Sequence, residues 1–268
     1  MSATSKLSRI LLISAVLALP LYSLRLSLLG IPTSVLEIVT MLGFLFAIAQ
    51  GKIRLTTLRK PELVGLGLLL VGAVCGVLIA RDAHAVGILK SWILTPIFLY
   101  LWLRAEWSVA AERKAATVWV PIAAAITVAW VSVFAMLQLG WRQWPLLKDM
   151  LNPDVQHYLI ETPIRVLAHF ESPNYLAMFL LPLTGLVVWG AQKNKGTMRY
   201  WLYVAALIGV LGVWFTRSQG AYLAGLVAVG VLIAPSISKR LPAKLSSWVV
   251  WLVCIATATI LFAAVYVP

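Results

Sequence analysis

A handful of residues at the margins of long apolar runs could do chemistry, and most of it is anion chemistry. Arg165 lies a few positions before Glu171-Ser172-Pro173-Asn174. There Ser172 suits an N-cap and Pro173 the first helical position, so a helix begins with free backbone N–H groups. Arg217 stands in Thr216-Arg217-Ser218-Gln219-Gly220, a tight turn that opens another apolar run with the same polarity. Two guanidinium forks beside two positive helix ends suit a phosphate or pyrophosphate. Asn174, Ser218 and Gln219 add short polar groups able to bind sugar or phosphate oxygens. The plainer roles are headgroup anchoring for Arg217 and a salt bridge from Arg165 to Glu161 or Glu171.

Lys90 is a third cation, about one and a half turns inside an apolar run. A charge there either faces a cavity or partner or snorkels to the headgroups. Among the three histidines, His169 is nearest in sequence to the anion residues and is the candidate general base. Glu37 reads differently, since Ser34-Val35-Leu36-Glu37 has the spacing of a helix capping box. Cys75 and Cys254 lie inside hydrophobic stretches and indicate neither a disulfide nor a metal site. No Gly-rich phosphate loop, metal-ligand cluster or nucleophile elbow appears.

The elements that must position these residues are membrane spans. The 268 residues are 62% hydrophobic and only 12% charged, with a mean hydropathy of +0.94, far from the make-up of a soluble domain. Hydrocarbon about 30 Å thick takes roughly 20 apolar residues of helix. The runs predict an all-α transmembrane bundle of about nine spans in one domain. Five are near 7–29, 34–50, 61–80, 85–103 and 115–139. Four more are near 173–191, 200–215, 220–237 and 248–267. Residues 200–237 must be two spans, because one helix of that length would be nearly twice the bilayer thickness. One connection is long, about 140–172, with Pro145 starting a short amphipathic surface helix and Thr162-Pro163 beginning another ordered stretch.

With the N-terminus inside, the outer connections and span ends hold Arg25, Arg81, Lys90, Arg142, Lys148, Arg165 and Arg217, which leaves 15 of the 22 Lys and Arg on the inner side. That bias sets the expected orientation and puts the long connection on the periplasmic face. It also accounts for the net charge of +13 without nucleic acid.

Residues 163–177, Pro-Ile-Arg-Val-Leu-Ala-His-Phe-Glu-Ser-Pro-Asn-Tyr-Leu-Ala, followed by Leu181-Pro182-Leu183, resemble the O-antigen ligase and polymerase-related membrane proteins. These show an arginine, then a phenylalanine, then Pro-Asn-x-Leu opening a span. The stretch 216–223 looks like their Thr-x-Ser-Arg-Gly-aromatic turn, and Gly30 through Glu37 resembles their second-span entrance. In this chain the position after the serine is Gln219, and the arginine precedes it as Arg217.

The resemblance implies an enzyme of the bacterial inner membrane. It would catalyse an inverting, metal- and cofactor-independent transfer of glycan from an undecaprenyl-pyrophosphate carrier to an acceptor, commonly lipid A-core. Arg165 and Arg217 would hold the pyrophosphate, with Lys90 adding to the field and His169 serving as base. The family continues past the ninth span into a large periplasmic region and further spans, so the expectation is that residues 1–268 alone lack transferase activity. A small-solute transporter is a rival reading, weakened because no acidic residue lies deep in a span. A non-catalytic or truncated membrane subunit is another.

Overall fold

The computed structural model describes residues 3–23, 25–28, 31–53, 58–143 and 164–238. They form helices α1 (Ala3–Ala18), α2 (Val35–Ala49), α3 (Lys60–Ala80), α4 (Ala83–Ile88), α5 (Thr95–Ser108), α6 (Ala110–Leu137), α7 (Pro173–Lys193), α8 (Gly196–Phe215) and α9 (Gln219–Ser238). Five stretches are long and apolar enough to cross a membrane: Lys60–Ala80, His84–Ser108, Arg113–Gly140, Pro173–Lys193 and Gly196–Phe215. Their exposed side chains include Leu68, Val71, Leu78, Ile79, Leu207 and Val210. Such a surface suits lipid, and the chain has the make-up of a multi-pass membrane protein. The expected span at 248–267, the surface helix from Pro145, the stretch from Thr162, and His157 lie outside the described residues. Packing divides the chain inside α6 into two units, Met1–Thr127 and Val128–Pro268.

In the first unit the expected helix over 7–29 is corrected. α1 stops at Ala18, a 3₁₀ turn follows over Leu19–Ser23, and an antiparallel hairpin pairs strand β1 (Arg25–Leu28) with β2 (Ile31–Ser34). Pro20 explains the break, since it has no N–H for the carbonyl of Val16 and its ring crowds that turn. The Thr127 hydroxyl donates to the Val16 carbonyl instead, at 3.3 Å. Among the described residues the all-α expectation therefore gains this two-stranded hairpin.

α2 begins as read, with Ser34 as N-cap and a complete Ser34–Glu37 capping box. It packs on α5 through small and aromatic surfaces, the mode open to helices in lipid, where no hydrophobic drive favours association. Gly43 lies against the fully buried indole of Trp102, where any Cβ would collide with the ring. Phe44 stacks on Phe98 with centroids 4.6 Å apart. At one end of this contact Lys52 pairs with Glu106 at 3.1 Å, its carboxylate only 3% exposed.

At the other end α4 and α5 are joined by a π-helical segment, Leu89–Leu94. The N–H of Thr95 reaches the Lys90 carbonyl five residues back, and its hydroxyl donates to the same oxygen at 3.0 Å. Pro96 follows and cannot donate to Trp92, so the ordinary ladder loses a rung there. This segment sets Lys90 and Ser91 beside Glu37.

In the second unit, α7 and α8 form an antiparallel pair joined by Asn194-Lys195. A Cβ on Gly209 would lie 2.6 Å from Val128 Cγ1 and against the Thr184 hydroxyl, and one on Gly212 would lie 2.9 Å from Leu180 Cδ1. Only glycine lets α8 approach its neighbours α6 and α7 so closely. The expected division of 200–237 holds, with the break at Thr216–Ser218 between α8 and α9.

Candidate functional site

The α8–α9 turn is built by its own side chains. Thr216 Oγ1 donates to the Val213 carbonyl at 2.7 Å and accepts from the Ser218 N–H at 3.2 Å. Ser218 Oγ accepts from the N–H of Ala221 at 3.4 Å, which starts α9 as an N-cap does. Between them Arg217 has φ +54°, the left-handed region that costs an L-residue about 1–2 kcal/mol. Its side chain is exposed.

α7 starts as the sequence predicts. Ser172 Oγ accepts from the Tyr175 N–H at 3.2 Å and Pro173 occupies the first turn. The preceding segment carries Arg165 and is stitched to the end of α8. The Val166 N–H donates to the Phe215 carbonyl at 3.2 Å, Arg165 Nε donates to the Thr216 carbonyl at 3.3 Å, and Arg165 Nη2 donates to Asn174 Oδ1 at 3.3 Å. One guanidinium thus ties the start of α7 to the end of α8.

An open cavity of about 610 Å³ lies against this arrangement. Arg165, Asn174, Arg217, Ser218 and Gln219 line it with polar groups, and Met178, Leu181 and Ala224 line it with apolar ones. Five of the seven residues singled out from the sequence therefore meet in one place, although Arg165 and Arg217 are 52 positions apart in the chain. Among the described residues no carboxylate lines the cavity. Asn174 in the first turn of α7 and Gln219, Gly220 and Ala221 in the first turn of α9 are on its wall, so the two arginines and the positive ends of two helix dipoles add to one local field. The volume falls in the ordinary range for small-ligand sites. Chemically the arrangement can hold an anion, and its mixed lining suits an amphiphile with an anionic head.

No protein-family model, curated protein or solved structure matches the chain. The site therefore stands on its own geometry.

Lys90 and His169 are not among the residues lining this cavity. Lys90 belongs to the first unit, where it pairs with Glu37 at 2.9 Å, donates to the Pro32 carbonyl, and lies 3.5 Å from Thr33 Oγ1. Ser91 also donates to Glu37. Glu37 is both the cap expected from the sequence and an ion-pair partner that local spacing did not reveal. His169 is packed among rings, stacked on Trp130 at 5.6 Å and 11°, and tilted against Phe134 and Phe170. Among the described residues no three His, Cys, Asp or Glu side chains gather as a metal site would require.

Sequence reasoning passed over Gln138. It sits fully buried just beyond α6, where its amide bonds Leu167 and Ala168. A lone glutamine closing an apolar run was the available signal, since a polar group in such a place needs a partner.

Proposed function

We propose that this protein is an O-antigen ligase-type glycosyltransferase of the bacterial inner membrane, and that the cavity of Arg165, Asn174 and Arg217 takes the pyrophosphate of an undecaprenyl-linked glycan. The observation that carries the reading is that two guanidiniums and the first turns of two helices line one cavity whose wall divides between polar and apolar side chains. A lipid pyrophosphate has that division of character. The reading includes the nine-span arrangement with the N-terminus inside, which puts the cavity at the periplasmic face.

In the reaction an acceptor hydroxyl, such as one on lipid A-core, attacks the anomeric carbon. The bond from that carbon to the pyrophosphate breaks, configuration inverts, and the hydroxyl proton passes to a base. Charge builds on the departing pyrophosphate, and in this reading Arg165, Arg217 and the positive ends of α7 and α9 stabilise it. Asn174 both receives Arg165 and borders the cavity, and Ser218 and Gln219 offer short polar contacts to sugar or phosphate oxygens. His169 is the one imidazole in the segment carrying Arg165 and is the base of this reading.

The test is genetic and uses the whole gene in its own bacterium. Deletion is expected to abolish polymer-capped lipid A-core, and the unmodified gene to restore it. Arg165→Ala is expected to lower capping by roughly 10² or more, the order seen when one oxyanion-stabilising donor is lost. Undiminished capping in the deletion strain overturns the reading.

A further inference from the structure

We propose that Gln138 is the positioning residue of this anion site: its carboxamide pins the turn at 166–168 and so fixes where Arg165 presents its guanidinium. The inference rests on the pyrophosphate reading of the cavity and extends it to a residue outside the lining.

Gln138 has no exposed surface. Its Oε1 accepts from the N–H groups of Leu167 at 3.0 Å and Ala168 at 2.9 Å, and its Nε2 donates to the Ala168 carbonyl at 2.6 Å. A primary amide offers two acceptor lone pairs and two donors, and this turn uses three of the four. Val166, Leu167 and Ala168 are themselves fully buried, in neither helix nor strand. Buried backbone groups outside regular structure must find side chains or water, and here one side chain serves three of them.

The same amide explains an unusual backbone. Ala168 has φ +52°, a conformation alanine rarely takes, and Gln138 holds both its N–H and its carbonyl. Three residues back stands Arg165, in a segment tied on its other side to Phe215 and Thr216 of the α8 end. The segment is thus fixed from two directions, by a side chain just past α6 and by main-chain carbonyls at the end of α8. Thr216 immediately precedes the strained Arg217, so both arginines of the cavity depend on one stitched unit. No apolar side chain of similar size can replace the amide. Glutamate reproduces it only when protonated, because the neutral acid has an O–H for the Ala168 carbonyl and a C=O for the two N–H groups.

The experiment compares the unmodified chain, Gln138→Leu and Gln138→Glu in detergent micelles, at acidic pH and at pH 8. It reads amide hydrogen exchange in peptides covering 164–170 and the affinity for inorganic pyrophosphate, each as a ratio to the unmodified chain at the same pH. We expect exchange in this segment to rise and pyrophosphate affinity to fall by about tenfold in Gln138→Leu, the scale of one or two lost hydrogen bonds. Gln138→Glu should match that loss at pH 8 and recover at acidic pH, which general damage to the fold would not do. Because Gln138→Glu is compared with itself across pH, the inference stays testable if Gln138→Leu fails to fold. Unchanged exchange in the variants overturns the clamp, and altered exchange with unchanged affinity overturns its role in positioning Arg165. If the unmodified chain binds no pyrophosphate, the anion reading fails and the positioning role with it, while the exchange arms still decide whether Gln138 holds the turn.

Discussion

Replacing Arg217 with glycine should make the protein more stable and the site worse. Arg217 is a non-glycine residue at φ +54° whose side chain is exposed and whose backbone N–H bonds the Trp214 carbonyl at 3.2 Å. Glycine keeps that backbone bond and removes the left-handed penalty of about 1–2 kcal/mol, while its freer unfolded chain gives back about 0.5–1 kcal/mol. The net expectation is a gain of roughly 0.5–1 kcal/mol, in line with strain retained at functional positions. Alanine shares the left-handed penalty, so Arg217→Ala should leave stability nearly unchanged. Both variants lose the guanidinium. A hydrogen bond to a charged group contributes about 1.5–3 kcal/mol, and the exposure of Arg217 argues for the lower end, so pyrophosphate should bind roughly tenfold more weakly. Thermal unfolding in one detergent, together with titration calorimetry against pyrophosphate, reads both quantities. A glycine variant that is less stable, or that binds pyrophosphate as well as the unmodified chain, refutes the reasoning.

Three other outcomes follow from the packing and the charge pattern. Gly212→Ala should lose about 1–3 kcal/mol of stability in thermal unfolding, because its new methyl meets Leu180 of α7 and Ser132 of α6; an unchanged midpoint would show that these contacts can open. His169→Phe keeps the stack on Trp130, so if packing is the whole role of this side chain capping in cells stays within the same order of magnitude, whereas the base role requires a loss of about 10² or more; the proposed mechanism expects the loss. In a background without Cys75 and Cys254, His157→Cys should react with an impermeant thiol reagent in intact cells and Lys195→Cys should not, and the reverse pattern would invert the proposed topology.

What was legible in the sequence was local. Ser34 with Glu37 announced the start of α2, Ser172-Pro173 announced α7, and the length of 200–237 demanded two helices. The two helix starts depend on neighbours within a few positions, where type and spacing carry the physics, and the division of 200–237 depends on length alone. The meeting of Arg165 with Arg217 could be guessed because both adjoin helix starts of the same polarity. Other features needed contacts across the chain. Lys90 is 53 positions from Glu37, and nothing at either end names the other. Pro20 gave notice of a break after α1, yet the apolar run continued through Leu29 and masked the hairpin. Gln138 lies 29 and 30 positions from the backbone it holds, so its polarity alone gave notice that it had work there.

The central claim is that this cavity recognises a pyrophosphate borne on a lipid. It is tested most directly by measuring how the purified chain, in detergent micelles, binds a short-chain polyprenyl pyrophosphate, the matching monophosphate and the matching alcohol. The unmodified chain should prefer the pyrophosphate to the monophosphate and bind the alcohol least, and Arg165→Ala and Arg217→Ala should each erase about tenfold of the pyrophosphate affinity without altering that for the alcohol. Equal binding of the three lipids, or pyrophosphate affinity untouched by either substitution, would contradict it.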